Sequence, residues 1–250
     1  MNTVGKVTLL SAGPGDLDLL TLRAAKALAA ADILLVDDLA NADIATLAPA
    51  ARVIRVGKRG GCRSTPQAFI ERLMIRYARR GLRVVRAKGG DALLFGRAGE
   101  EISALRNAGI AVDIVNGVSS GFAAAAGLGI SLTHRDHCQG VTFVTAHKQD
   151  HGEPDWNALA ATGTTLAIYM GMSRIANITE SLMQTLPATT PAAVVQHAGS
   201  SNEKPVVSTL AHIADDARAA GLGSPAVILI GGAIGEAAAF ASNALAARAA

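Results

Sequence analysis

The feature that most constrains this chain is the regular alternation of short apolar runs with longer helix-forming segments. The short runs are rich in Val, Ile and Leu, and the segments between them carry apolar residues at helical spacing. Strands that alternate with helices in this way pair in parallel through right-handed crossovers. In the first half the predicted strands are residues 6–12, 31–36, 52–56, 82–87 and 111–115, and the predicted helices are 19–30, 66–80 and 98–108.

A second alternating set follows Gly140. Its predicted strands are residues 141–146, 164–170, 191–196, 205–210 and 225–231, and its predicted helices lie near 157–161, 173–185, 210–220 and 234–247. We therefore predict an α/β fold with mostly parallel sheets, built as an N-terminal domain of residues 1–137 and a C-terminal domain of residues 138–250.

Composition narrows the class of protein. The chain has 250 residues, of which 50% are hydrophobic and 17% charged, so it can bury a sizeable core. No apolar run is long enough for a membrane span, and Gly-Pro-Gly comes too early for a secretory signal. Cys62 and Cys138 lack CxxC spacing, which argues against a metal site and favours the reducing cytoplasm. Aromatics make up only 3% and the net charge is +3, which favours a small anionic ligand over nucleic acid.

The first predicted strand runs into a Gly-Pro-Gly loop at residues 11–16. This is where a dinucleotide-binding loop would lie, but the pattern is neither GxGxxG nor a P-loop. Asp16 would repel a pyrophosphate, so a ligand with positive charge or without phosphate fits better. The alternative interpretation is a tight strand–helix turn that is capped by Asp16 or Asp18.

Two further loops carry candidate ligand groups. In residues 88–97, Gly89 and Gly90 allow close backbone approach, Asp91 supplies a carboxylate, and Lys88 and Arg97 could bind anions. The alternative for this loop is a solvated turn.

The loop at residues 56–67 holds three cations, Lys58, Arg59 and Arg63, which indicate an anion clamp or a general acid; a solvated basic loop is the alternative.

Asp37 and Asp38 close the second predicted strand, where adjacent side chains point to opposite faces. Only one of them is expected to face a ligand, and turn formation is the alternative for both.

Eight segments together resemble the tetrapyrrole methylase superfamily, in particular its members that methylate uroporphyrinogen III. In chain order they are LLSAGPGDLDLLTLRAAKAL, ADILLVDDL, VGKRGGCRSTPQ, VVRAKGGDALLFGRAGEE, LTHRD, FVTAH, YMGM and TPAAVV. The resemblance implies two α/β domains with S-adenosylmethionine in a cleft between them. It also implies methylation of uroporphyrinogen III at C2 and C7 to give precorrin-2, in sirohaem or cobalamin biosynthesis. A homodimer and a small-molecule tetrapyrrole substrate are expected, without metal, nucleic acid or membrane.

The resemblance also assigns residues. The family's proton acceptor matches Asp37 and its proton donor matches Lys58. The cofactor contacts match Pro14, Gly89, Gly90, Asp91, Leu94, Ser119, Ser120, Met170 and Gly199. We add Arg59, Arg63, Arg97 and Arg135 as candidates for the substrate's carboxylates, because bidentate guanidinium–carboxylate pairs suit such a ligand.

The chain departs from the family pattern at Ser11, Val36, Asp38, Arg63 and Asn116. Asp38 adds negative charge near an acidic substrate. A methylase of a later precorrin is therefore an alternative, and a dinucleotide-dependent oxidoreductase is a more distant one, because Asp37 and Asp38 lie where a ribose-binding acid would be expected. A non-enzymatic binding module would leave Asp37, Lys58 and the KGGD loop without a role.

Overall fold

The computed structural model describes residues 4–57, 65–147 and 152–237. The chain divides into two compact units, Met1–Ser120 and Gly121–Ala250. The predicted boundary at 137/138 lies further along the chain than this division. The helix that begins at Ser120 accounts for the difference, since Gly121 donates its N–H to the Tyr169 hydroxyl at 2.8 Å, within the second unit.

The first unit contains a five-stranded sheet in the order β3-β2-β4-β1-β5. Every pairing in this sheet is parallel, as predicted. The strands are β1 (Lys6–Ser11), β2 (Ile33–Val36), β3 (Arg52–Arg55), β4 (Val84–Lys88) and β5 (Ala111–Val115). The helices are α1 (Leu22–Ala29), α2 (Gln67–Ala78) and α3 (Ala98–Asn107), and short 3-10 helices span Leu17–Leu19 and Ala42–Leu47.

Alternate residues of the first sheet enter two separate cores. Leu9 and Leu35 pack with α2 and α3 on one face, whereas Leu10 and Leu34 pack with α1 on the other. This period-2 alternation, with both faces apolar, is what a parallel sheet covered by helices requires. It also fixes which face each charged residue of a strand must occupy.

The predicted helix at residues 66–80 has a slightly different start and face. Pro66 is the residue before the first turn, and the Thr65 hydroxyl donates to the Gly57 carbonyl instead of capping the helix. Helical spacing predicts Phe69 on one apolar face with Ile70 and Met74, but Phe69 is 44% exposed, whereas α2 buries the other two.

The second unit contains helix α4 (Ser120–Leu128), which begins at the division, and a second five-stranded sheet in the order β6-β7-β10-β8-β9. Its strands are β6 (Val141–Thr145), β7 (Thr165–Tyr169), β8 (Pro191–Gln196), β9 (Lys204–Thr209) and β10 (Ala226–Ile230). Its other helices are α5 (Trp156–Ala160), α6 (Ile175–Leu182) and α7 (Ile213–Ala219), with 3-10 helices at Met172–Arg174 and Gly232–Glu236.

This second sheet is mixed. Only β6 and β7 pair in parallel, and the other three pairings are antiparallel. The expectation of mostly parallel sheets is thus met by the first sheet and not by this one. The reason lies in the connection from β8 to β9, which has no helix and forms a hairpin, so that β9 returns antiparallel.

The second sheet is also covered on both faces. Leu166, Ile168 and Ile228 enter the core formed with α5, α6 and α7. On the opposite face, Phe122 of α4 stacks edge-on against Phe143 of β6, with ring centroids 5.2 Å apart. The C-terminal helix predicted at residues 234–247 lies mostly outside the described residues. None of the helices in the described ranges is long and apolar enough to cross a bilayer.

Candidate active site

The first sheet brings its candidate residues together at one edge. Its strands are parallel, so the loops that follow β1, β2, β4 and β5 all leave from their carboxyl ends. Open α/β sheets bind ligands at this edge. The loops there contain Pro14, Asp37, Gly89 to Asp91, and Ser119 with Ser120, which are most of the predicted site residues of this unit.

Backbone hydrogen bonds join the loops after β1 and β4. Gly13 and Gly90 exchange both N–H···O=C bonds, at 3.2 and 2.7 Å, as an isolated antiparallel bridge beyond the parallel strands. The Ser11 hydroxyl accepts from the Ala92 N–H at 2.8 Å and is buried. The two glycine loops therefore form one rigid unit, with Pro14 directly after the bridge. Asp16 caps the 3-10 helix that follows, in agreement with the turn interpretation of this residue.

The Asp91 carboxylate holds two loop segments in place. One oxygen accepts from the Leu93 N–H at 2.8 Å, and the other accepts from the Gly117 N–H at 3.1 Å, in the loop after β5. The Leu94 N–H closes the same turn on the Asp91 carbonyl. Asp91 was predicted to contact the cofactor, and the structure shows that its carboxylate organises the loops around the site.

Gly90 adopts a left-handed backbone conformation beside open space. Its φ is +66°, and a Cβ built there would have only the Ser120 nitrogen within 4 Å, at 3.9 Å. Gly89 differs, because a Cβ there would lie 2.5 Å from the Leu39 carbonyl oxygen. Gly90 therefore borders free volume in which a ligand could contact the backbone, whereas Gly89 is needed for internal packing.

Asp37 and Asp38 have different surroundings, as period-2 geometry predicts. One Asp37 oxygen accepts from Arg86 Nη2 at 3.0 Å, and the other accepts from the Asp38 N–H at 2.9 Å. The Asp38 carboxylate lies over Gly57, where any Cβ would overlap it. The Asp37 side chain is 32% exposed. The Asp37 carboxylate is therefore held through both oxygens and remains partly exposed at this sheet edge.

A buried charge cluster underlies Asp37. Glu101 Oε1 accepts from Arg86 Nε at 3.3 Å, from Lys88 Nζ at 3.2 Å and from Gln67 Nε2 at 3.1 Å. Arg86, Lys88 and Glu101 are all buried. Burial and the neighbouring Arg86 lower the pKa of Lys88, and the attraction of Glu101 only partly opposes this.

The sequence predicted no role for Arg86 or Glu101, and it predicted that Lys88 binds an anionic ligand. The spacing of these residues could have indicated that they are buried together. Buried Ala98, Glu101 and Leu105 recur at helical spacing in α3, so Glu101 occupies a core-facing position of the helix. Arg86 and Lys88 alternate in β4, so both must face that same helix layer.

Arg97 forms an exposed ion pair in place of a free anion site. Its guanidinium donates to Glu100 at 2.8 and 2.6 Å in a fork-to-carboxylate geometry. This pairing raises the pKa of Arg97 and lowers the pKa of Glu100. Arg97 must exchange Glu100 for a substrate carboxylate if it binds one.

The remaining predicted residues of known position lie in the second unit. Met170 follows β7 with φ +57° and is 46% exposed. Gly199 has φ +70°, and its N–H donates to Glu203 at 2.6 Å. Arg135 is exposed. Lys58, Arg59 and Arg63 lie outside the described residues, and within the described ranges there is no group of three His, Cys, Asp or Glu side chains that could hold a metal ion.

Comparison with known proteins identifies the family. The model of the Tetrapyrrole (Corrin/Porphyrin) Methylases matches residues 6–214, which is most of the chain. The chain belongs to the tetrapyrrole methylase family. The resemblance of the eight sequence segments is thereby confirmed.

Individual tetrapyrrole methylases are similar over almost the whole chain. Uroporphyrinogen-III C-methyltransferase of Pseudomonas aeruginosa is 51% identical over 228 residues, which cover 91% of this chain and 93% of that protein. The crystal structure of uroporphyrin-III C-methyl transferase from Thermus thermophilus, complexed with S-adenyl homocysteine, superposes with a TM-score of 0.79. It is 35% identical and covers 92% of this chain and 99% of that one.

A tetrapyrrole methylase that is named for a different substrate has the same fold. Cobalt precorrin-4 methyltransferase, described as a cobalamin biosynthetic enzyme, superposes with a TM-score of 0.83 at 30% identity. The aligned region covers 92% of this chain and 95% of that one. These neighbours confirm the α/β methylase fold, and the fold alone is common to both specificities.

Proposed function

We propose that this chain transfers methyl groups from S-adenosylmethionine to C2 and C7 of uroporphyrinogen III, giving precorrin-2. The observation that carries the proposal is the 51% identity to a uroporphyrinogen-III C-methyltransferase over 91% of the chain. The neighbour complexed with S-adenyl homocysteine, the demethylated form of that donor, supports the choice of cofactor.

The first unit offers a backbone surface that fits such a cofactor. The free volume beside Gly90 adjoins Pro14 and the start of α4, where the Ser120 nitrogen lies. The ligand would contact main-chain groups of loops that Asp91 and Ser11 hold rigid. We propose Pro14, Gly89, Gly90, Asp91, Leu94, Ser119 and Ser120 as the contacts from this unit, and Met170 and Gly199 as further contacts on the family resemblance.

The reaction needs alignment and proton transfer more than a protein nucleophile. S-adenosylmethionine supplies a methyl group on a cationic sulfur; an electron pair of the pyrrole carbon forms the new C–C bond while the S–C pair stays on sulfur. Each transfer also releases one proton from the tetrapyrrole. We propose Asp37 as the acceptor, because Arg86 holds one end of its carboxylate at the sheet edge and leaves it accessible. Lys58 is proposed as the donor on the resemblance.

Cationic side chains are proposed to bind the substrate's carboxylates. Arg97 is a candidate whose geometry the structure describes, and its guanidinium, which donates to Glu100, would exchange that partner for a substrate carboxylate. Arg135 is exposed and available for the same role. Arg59 and Arg63 complete the set on the resemblance.

Several properties of the protein follow as proposals from its family. We propose a homodimer in the cytoplasm that acts in sirohaem or cobalamin biosynthesis without a metal, a membrane or nucleic acid. Light scattering coupled to size-exclusion chromatography tests the dimer, and activity after dialysis against a chelator tests the independence from metal.

The substrate is tested by incubating the protein with S-adenosylmethionine and either uroporphyrinogen III or a later precorrin. We expect the tetrapyrrole product from uroporphyrinogen III to gain two methyl groups by mass spectrometry. Methyl transfer to the later precorrin alone would favour the second candidate, which the cobalt precorrin-4 methyltransferase fold represents. Binding of NAD without binding of S-adenosylmethionine would favour an oxidoreductase.

A further inference from the structure

The buried charge cluster of the first unit is arranged as a chain that ends at Asp37. Arg86 and Lys88 extend from β4, and Glu101 extends from α3 above them. Arg86 is the link, since it donates from Nε to Glu101 and from Nη2 to Asp37. The Arg86 guanidinium therefore connects the buried Glu101 carboxylate to the Asp37 carboxylate at the sheet edge.

The guanidinium has little freedom to turn. Its third nitrogen, Nη1, donates to the Ala87 carbonyl at 3.1 Å, so all three of its nitrogens are engaged. A guanidinium is planar, and two fixed nitrogens therefore determine the position of the third. Glu101 and the Ala87 carbonyl thus set the direction from which Asp37 is held.

Charge balance also involves Asp37. Two buried cations, Arg86 and Lys88, face one fully buried carboxylate, Glu101. Asp37 is the next anion in contact with the cluster, at 3.0 Å from Arg86. Its carboxylate is therefore attracted inward to a fixed position and does not rotate freely in solvent.

Glu101 has a feature that stability alone does not explain. Its Oε2 is buried and has no hydrogen-bond partner within the part of the chain that the structure describes. Buried polar atoms without partners cost free energy and are uncommon in folded proteins. A buried ion-pair network often adds little net stability over apolar packing, so the feature on which a functional role of Glu101 can rest is the contact of its partner Arg86 with Asp37.

We propose that Glu101 is a positioning residue that acts through Arg86 to fix the carboxylate of Asp37 for proton transfer. This role rests on the proposed function, because it takes Asp37 as the proton acceptor. Glu101 itself does not contact the reacting atoms. Arg86 carries its effect, and Lys88 supplies the second cation that holds Glu101 in place.

The first test is a double-mutant cycle with Glu101→Gln and Asp37→Asn, read by single-turnover methyl transfer at saturating S-adenosylmethionine. Glu101→Gln should slow methyl transfer about 10–100-fold, by analogy with the range for residues that orient a metal ligand. Its dissociation constant for the cofactor should stay within about 2-fold. In the Asp37→Asn background the same change should have almost no further effect, because non-additivity marks residues that act as a unit.

Two variants separate positioning from lost stability. Ile213→Val in α7 removes one methyl from the core of the second unit and should lower stability without slowing methyl transfer. Arg86→Lys keeps the charge but removes the planar fork, so it should slow transfer like Glu101→Gln. Wild-type rates in Glu101→Gln, or an equal loss in the Asp37→Asn background, would overturn the proposal.

A crystal structure of Glu101→Gln gives a readout that does not depend on activity. Because the neutral amide holds Arg86 Nε less firmly, we expect the Arg86 guanidinium and the Asp37 carboxylate to change orientation together; unchanged positions of both groups would overturn the positioning role even if the protein methylates another substrate. Absence of methyl transfer in the wild-type protein would instead count against the proposed function. An Asp37→Asn variant that is as fast as wild type would overturn the role of Asp37 and, with it, that of Glu101.

Discussion

Gly90→Ala tests whether Gly90 contacts the cofactor or is needed only for its left-handed backbone conformation. The φ of +66° at Gly90 makes any side chain there strained, at a cost of about 1–2 kcal/mol for the left-handed conformation. No steric cost adds to this, because the new Cβ would have the Ser120 nitrogen at 3.9 Å as its nearest neighbour. The free energy of unfolding should therefore fall by about 1–2 kcal/mol.

A bound cofactor adds a second, separable effect. If S-adenosylmethionine occupies the space beside Gly90, the methyl group overpacks the site and should weaken binding by about 1–3 kcal/mol. That corresponds to roughly a 5–150-fold higher dissociation constant, which isothermal titration calorimetry measures directly.

Gly109→Ala provides a matched control. Gly109 has φ +71° with nothing within 4 Å of a built Cβ, and it lies after α3, at the opposite end of β5 from the loop that holds Gly117. Urea unfolding should give both variants the same loss of stability, and calorimetry should give weaker cofactor binding for Gly90→Ala alone. Equal cofactor affinities in the two folded variants would refute the placement of the cofactor beside Gly90.

Three further predictions concern charged residues. Asp37→Asn should lower single-turnover methyl transfer by about 10²–10⁴-fold with unchanged cofactor affinity, whereas Asp38→Asn should be mild; the reverse order would show that the register is wrong by one residue. Arg97→Ala should raise the Michaelis constant for the tetrapyrrole about 10-fold or more, while Arg218→Ala, which breaks a similar exposed pair, should leave it unchanged. Lys88→Met tests the buried ammonium: its lowered pKa means that the folded protein binds this proton less tightly than the unfolded chain, so native stability gains from rising pH up to about 10.4. In urea unfolding from about pH 7 to pH 10, the free energy of unfolding of wild type should therefore rise relative to that of the variant. A difference that stays constant with pH would contradict the lowered pKa of Lys88.

Much of the fold could be predicted because strand formation here depends on local pattern. All ten strands of the described residues overlap the apolar runs identified in the sequence. Pairing direction was predictable only where a helix separates the strands, as in β1 to β5. It was wrong for the second sheet, because β8 and β9 follow each other without a helix and form a hairpin, so that β9 and β10 both run antiparallel to β8.

The loop residues at the carboxyl ends of the strands could be proposed from the sequence, whereas the buried charge cluster behind them could not. Glycines and acids in loops after strands indicate a ligand-binding edge, so Gly90 and Asp37 could be proposed as site residues from the sequence. The structural role of Asp91, whose carboxylate accepts from backbone N–H groups of two loops, was not predicted.

Adjacent glutamates in α3 show why the cluster was missed. Glu100 and Glu101 point in directions about 100° apart around the helix, so one pairs with Arg97 in solvent and the other enters the core. A charged residue is usually assigned to the surface, and only the packing of α3 on β4 shows that Glu101 is buried with Arg86.

Carbon NMR of the product made with S-adenosylmethionine labelled with ¹³C at its methyl group identifies both the substrate and the methylated carbons. From uroporphyrinogen III, the proposed reaction gives two labelled methyl groups, bonded to C2 and C7, with one S-adenosylhomocysteine released for each. Label at other ring positions, label only in a later precorrin, or no label in any tetrapyrrole would contradict it.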